Sequence, residues 1–441
     1  MTDVQTESSL VPTGSEGAQQ FPKPPEGSWT ESFGLDTGAV SFVDSYDPEF
    51  YRLEKEAVFK RSWLHLGRVE ELPRKGSYFT RELTFLGWSI LVVRGMDDEI
   101  RAFHNICSHR GNKLVWDEHP KKEAKGTCRA LSCKYHGWRY GLDGDITYVH
   151  NAPEFFDLDP AKLALPKVNL EVWAGFIFVN LAKEPAQSLR DFLTPAIAKL
   201  DTYPFHKMTQ RYVFESTIKS NWKLFMDAFQ EVYHNPFVHG KLNDPNLPQT
   251  GVDKIPTMVP YFAAYGKHRL FTSGGPLANV KVRKARPADA MFGATFYGPL
   301  DVPDVGPVGD ALNPGGIENW GLDSWKIYPN FDIITWGRNW YITYQYWPVD
   351  ESTNRFVWTV NFVPPRNARE RLAQEHCLIT TREFLIQDAN TLEATQQMVA
   401  AGVRDDYYIG DQEVAVRHFH KVIQDDVEAY RRELQDKEGQ V

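Results

Sequence analysis

The 441-residue chain reads as an α+β protein, with an antiparallel β domain in its first half and, in its second, an antiparallel sheet followed by long helices. Three observations carry this. Between Gly76 and Asn180, short alternating runs such as ILVVR and FIFVNL are separated by turn signals, DGD and WAGF among them. Strand-like runs return at SWKIYP, FDIITW, NWYITYQYW and RFVWTVNFV. Helical spacing then runs from about Asn367 to Ala401 and again over Asp411 to Leu434.

Taken in order, residues 1–45 are rich in Ser, Gly, Pro, Thr and Glu with little hydrophobic periodicity, and are expected to form a flexible arm that packs late or not at all. From Phe50 to Val69 the pattern suggests a short helix entering a strand. TQRYVFESTIKS alternates as a strand does, and NWKLFMDAFQEVYH after it has helical spacing. Residues 240–320 hold many Pro and Gly, as loops over a scaffold do, and binding residues tend to lie on such loops. A chain this long exceeds one core, so the expected division is an arm over 1–45, a β domain over 46–185 and a second domain over 186–441.

Composition narrows the function. Aromatic residues make up 13% of the chain, enough to line an apolar pocket. A net charge of -9 without a basic patch argues against a nucleic-acid partner. The longest strongly apolar stretch, Phe85 to Val93, is too short to span a bilayer, so no membrane association is expected. The first twenty residues lack the basic and apolar regions of a secretory signal, and a cytoplasmic location is expected. Four cysteines cannot staple a chain of this size, and metal binding explains them better.

Two of them sit beside histidines, in Cys107-x-His109 and Cys133-x-x-His136. A Rieske [2Fe-2S] centre takes two thiolates on one iron and two imidazoles on the other, and these motifs supply that set. Cys107 and Cys133 would hold the inner iron, and His109 and His136 the outer one. Gly111 and Gly137 would let the loops turn tightly, and Trp138 could cover one side. A structural zinc site is the rival, but zinc fingers pair Cys with Cys and His with His, whereas each motif here mixes the two. Cys128 has no partner histidine at ligand spacing and reads as a buried thiol.

The order C-x-H followed by C-x2-H-G-W resembles the Rieske domain of ring-hydroxylating oxygenase α subunits. One departure is a longer His109 to Cys133 spacing, with a charged insertion, DEHPKKEAKG, expected in a surface loop. Farther on, NWKLFMDAFQEVYHNPFVHG places Asp227, Glu231 and His234 at i, i+4 and i+7 of one helical face, with Pro236 breaking the helix so that His239 can reach the same metal. Two histidines and a carboxylate form the facial triad of a non-haem Fe(II) oxygenase. The resemblance implies that Asp388, in EFLIQDANTLEATQQ, is the distal third ligand, with Glu383 and Glu393 on the same helix as the alternative candidates. It also implies that the acid three residues before the first histidine, here Glu231 where Asp is commoner, links the cluster of one subunit to the iron of its neighbour. Asp227 could share that role or satisfy the helix interior.

The same resemblance implies a helix-grip (START-like) catalytic domain, an antiparallel sheet wrapped around a long helix. It implies electrons from NAD(P)H through a reductase, directly or by way of a ferredoxin, and O2 meeting a small hydrophobic substrate at the Fe(II). It further implies a homotrimer, with room for a β subunit. The expected reaction is hydroxylation of an aromatic or bulky hydrophobic compound. Oxidation of a quaternary amine or steroid-like compound is the alternative, since some members acting on quaternary amines also carry Glu at the position of Glu231. A non-catalytic [2Fe-2S] electron carrier is the reading from a different class.

Overall fold

The computed structural model describes residues 27–239, 258–274, 287–295, 298–299, 305–306, 308–317, 320–337 and 339–439. Much of the loop region at 240–320 therefore lies outside the described residues.

Two seven-stranded antiparallel sheets organise the molecule. The first runs in the order Trp63–Arg68, Phe176–Asn180, Lys167–Trp173, Ile100–His104, Trp88–Arg94, Ser77–Leu83, Lys125–Thr127. A three-stranded sheet, Leu131–Ser132, Arg139–Tyr140 and Ile146–Tyr148, stands beside it. The second large sheet runs Gln210–Ile218, Thr353–Phe362, Trp340–Asp350, Phe331–Thr335, Trp320–Ile327, His268–Gly274, Met258–Tyr265.

Why the central strands of the second sheet are apolar on both faces follows from what covers them. Trp340 to Pro348 are all buried. On one side lies the first sheet, whose His65 stacks on Phe331 at 4.0 Å and whose His65 carbonyl accepts from Gln345 Nε2 at 2.7 Å. On the other lies the helix Trp222–Asp227, and the 32-residue helix Ala368–Val399 packs against that helix. Asn221 caps the first of these and Asn367 the second, each side chain accepting a backbone N–H of the first turn. A second long helix, Val414–Glu438, follows. Full burial of large aromatics such as Trp222, Trp325 and Trp340 contributes roughly 2–3 kcal/mol each.

Three expectations are corrected. Residues 27–45 do not behave as an arm. Thr30 donates to Asp411 from both its backbone N–H and its hydroxyl, Arg417 donates to the carbonyls of Asp36 and Gly38, and Val40–Ser41 pairs with Asp406–Tyr407. These hydrogen bonds, together with Trp29, Phe33 and Phe42 packed into apolar clusters, order a segment that has no periodic hydrophobic pattern. The charged insertion is not merely a surface loop, because Glu123 accepts from Arg355 at 3.0 Å and pairs with Arg81 at 3.3 Å, joining the first sheet to the second. Finally, the helix containing Asp227 stops at that residue. Phe229 and Gln230 donate to the carbonyls of Met226 and Asp227 in tight three-residue turns, so Glu231 and His234 lie on a loop and not on a helical face. Pro236 sits within a separate short turn of helix, Asn235–Val238, and does not break the longer one.

Candidate metal centres

The two cysteine–histidine motifs form a matched pair of loops. Cys107 N–H donates to the Asn112 carbonyl at 2.8 Å and Gly111 N–H returns to the Cys107 carbonyl at 3.0 Å. Cys133 N–H donates to the Trp138 carbonyl at 2.9 Å and Gly137 N–H returns to the Cys133 carbonyl at 3.0 Å. The glycines hold φ of +70° and +74°, which only glycine adopts without strain. Both thiols are buried.

The histidines are nearer solvent. Their rings lie 4.7 Å apart, and Trp138 stacks flat on His109 at 4.8 Å and 9°. Burial, then His136 and Arg110, hold the His109 pKa below the ordinary imidazole value, so the ring is a neutral donor. Its Nδ1 is buried without a hydrogen-bond partner among the described residues. Tyr140 reaches Cys107 Sγ with its hydroxyl at 3.4 Å, and Asn112 Nδ2 lies 3.7 Å from Cys133 Sγ. Two sheltered thiols and two outward imidazoles fit a [2Fe-2S] centre. They do not gather as a single zinc ion needs, since among the described residues only one other set brings three donors within 4.8 Å of one another. Cys128 is half-buried beside the strand Lys125–Thr127, its N–H donating to the Gly76 carbonyl, and burial raises its thiol pKa.

That other set is His234, His239 and Asp388. His234 Nδ1 bonds Glu231 Oε1, and His239 Nδ1 bonds Gln387 Oε1 at 2.8 Å. Each ring thereby donates its N–H outward and turns its Nε2 lone pair inward. The two Nε2 atoms lie 3.2 Å apart, and Asp388 Oδ1 lies 3.0 Å from that of His239 and 3.5 Å from that of His234. Asp388 Oδ1 makes no hydrogen bond among the described residues. Three converging lone-pair donors repel one another unless a cation lies between them. Adjacent ligands about 2.1 Å from one ion are separated by about 3 Å, so the set fits a divalent metal with one face left open.

Glu231 also accepts from the backbone N–H groups of Tyr233 and His234. Burial opposes charge on His234, but Glu231, with Asp388 and Glu413 behind it, raises the pKa. Glu383 instead pairs with Arg382, and Glu393 accepts from Lys219 N–H at 2.9 Å. Asp227 is committed elsewhere, its carboxylate accepting from His420 and Gln230. Gln387 and His420 were missed by sequence reasoning; Gln387 could have been found as the neighbour of Asp388.

A cavity opens onto this donor set. Phe229, Phe271, Trp336, Tyr344 and Phe384 supply aromatic walls, and no Lys or Arg is among its described lining residues. The Ser324 hydroxyl is buried there without a hydrogen-bond partner among the described residues. Burial, then Asp388, push the Tyr344 hydroxyl well above the usual phenol value, so it stays neutral. Among the described residues, no helix is long and apolar enough to cross a membrane.

Comparison with known proteins agrees with this layout. The family model "Rieske [2Fe-2S] domain" matches residues 62–166, and "Ring hydroxylating alpha subunit (catalytic domain)" matches residues 205–429. The carnitine monooxygenase oxygenase subunit of Escherichia coli is 30% identical over 289 residues, covering 65% of this chain and 72% of that one. The glycine betaine monooxygenase oxygenase subunit of Chromohalobacter salexigens is 37% identical over 201 residues, 44% of this chain and 42% of that one. Among solved structures, a quaternary ammonium Rieske monooxygenase in complex with L-carnitine superposes with a TM-score of 0.68 at 21% identity, covering 91% of this chain and 99% of that one.

Proposed function

Because the chain belongs to the ring-hydroxylating α-subunit family of Rieske non-haem iron oxygenases, we propose that it oxygenates a carbon of a quaternary ammonium compound. The family's two cofactors are a Rieske [2Fe-2S] cluster and a mononuclear iron. We assign Cys107, His109, Cys133 and His136 to the cluster and His234, His239 and Asp388 to the iron. The iron, when bound, supplies oxygen activation. The chain's own residues bind and orient the substrate, keep water out and fix the imidazoles.

The observation that carries the substrate class is the aromatic wall beside the three donors, with no cationic side chain among its described lining residues. A quaternary ammonium group cannot donate a hydrogen bond, and aromatic faces attract it by about 0.5–2 kcal/mol per ring when water is excluded. The carnitine and glycine betaine monooxygenases among its relatives support this reading. Ser324 offers the polar contact for a hydroxyl or carboxylate at the other end of such a substrate. The expected aromatic-ring substrate has the weaker support, since the relatives named above at 30% identity or more are carnitine and glycine betaine monooxygenases.

For electron supply, NAD(P)H would reduce a separate reductase, and the reductase the cluster. Tyr135 and Arg110 are exposed beside the histidine edges, which suits delivery across a subunit boundary, as in a trimer, with Glu231 on the receiving side. Turnover with a reductase over carnitine, glycine betaine, choline and naphthalene tests the reading. It expects oxidation of a quaternary amine, and turnover of naphthalene alone would overturn it.

A further inference from the structure

His420 lies in the helix Val414–Glu438 with no solvent exposure. Its Nδ1 is 3.0 Å from Asp44 Oδ2 and its Nε2 is 2.9 Å from Asp227 Oδ2. An ionised carboxylate has no proton to give, so both nitrogens donate and the ring is an imidazolium. Phe42 stacks on it at 4.8 Å and 10°. Asp44 also accepts from Ser45 Oγ at 3.0 Å. Asp227 accepts through its other oxygen from Gln230 at 3.1 Å, and Gln230 accepts in turn from Arg269 Nε at 2.5 Å.

Where this trio sits gives it a consequence. Asp227 ends its helix, and the carbonyls of a helix C-terminus repel a carboxylate. The next seven residues carry Glu231 and His234. Asp227 also lines a second cavity with Glu231, His234, Asp388 and Glu413. The imidazolium offsets the repulsion and ties the end of the helix to both the Val414–Glu438 helix and the N-terminal segment.

We propose that His420 is a positioning residue for the mononuclear iron site, holding through Asp227 the loop that bears Glu231 and His234 and balancing one of the two carboxylates that it bridges. The inference rests on the assignment of His234, His239 and Asp388 to the iron. Asp44, His420 and Asp227 together carry one negative charge, and the charged groups around them are Lys223 paired with Glu54, Arg269 from the sheet, and Glu413, Arg417 and Glu231. Burial opposes the charge on His420, but Asp227 and then Asp44 raise its pKa to about 10, so the ring keeps its charge through neutral pH.

His420→Gln would leave two buried carboxylates facing each other, one of which takes up a proton as the pH falls. The test follows release of mononuclear iron from the holoenzyme to a chelator, with turnover, and cluster absorbance as the folding control. The variant is expected to lose iron about tenfold or more faster than the parent near pH 8.5, and less so near pH 6. Adding Asp44→Asn, which restores the single negative charge, is expected to recover most of the loss and remove the pH dependence. Parental iron retention in His420→Gln, or equal loss in the single and double variants at every pH, would overturn the proposal. If His420→Gln does not fold, a folded, iron-retaining double variant supports the proposal and an unfolded one overturns it. His234→Ala, measured alongside, separates the two claims: if it keeps the mononuclear iron, the ligand assignment itself fails.

Discussion

His234 and His239 each direct one ring N–H outward, to Glu231 and Gln387, so that their remaining nitrogens face Asp388. His234→Ala is therefore expected to lower iron from about three to about two atoms per chain while the visible spectrum of the cluster is unchanged. Glu231→Gln should keep both metals and slow turnover by about 10–100-fold, read as kcat with iron content unchanged. At this scale the sequence was highly legible, because ligand chemistry is tied to residue type and spacing: Cys107, His109, Cys133, His136, His234 and His239 all stood out. Asp388 needed the family resemblance, since one acid among the five of a 32-residue helix carries no local signal. His420 was invisible, because its partners Asp44 and Asp227 lie 376 and 193 residues away in the chain.

Elements were legible where periodicity is strong and less so where side chains override it. Helical spacing continues through NWKLFMDAFQEVYH, yet the helix ends at Asp227, because the bonds of Asp227 to His420 and Gln230 turn the chain there. The N-terminal segment was misread for the opposite reason: its order comes from hydrogen bonds with Asp411 and Arg417 and from scattered aromatic anchors, Trp29, Phe33 and Phe42, which leave no periodic hydrophobic pattern. The cluster loops give the test at this scale. Gly137 has no heavy atom within 4 Å of where a Cβ would stand, but its φ is +74°. Gly137→Ala should therefore cost about 1–2 kcal/mol through backbone strain alone, read as a lower thermal midpoint for loss of cluster absorbance.

At the scale of the molecule, the two large sheets are joined by an ion network that no sequence motif announces. Glu71 and Glu123 of the first domain meet Arg211 and Arg355 of the second sheet, with Arg81 between them. Burial would raise the Glu71 pKa, but Arg81 and Arg211 outweigh it and bring it down to about 2. Its folded value is below the unfolded one, so its contribution is complete above about pH 5 and is lost as the pH falls toward 2. Glu71→Gln should destabilise the protein at neutral pH by on the order of 2–3 kcal/mol and flatten the acid limb of its stability profile, measured by denaturant unfolding across pH.

The same sheet that receives this network carries one wall of the aromatic cavity, for which a quaternary amine is the proposed substrate. A single turnover of the chemically reduced enzyme with a quaternary amine under 18O2, with products identified by mass spectrometry, tests that proposal. One 18O atom in an oxidised product of the quaternary amine is the expected result. No labelled product from any quaternary amine, with a labelled diol formed from naphthalene under the same conditions, would contradict it.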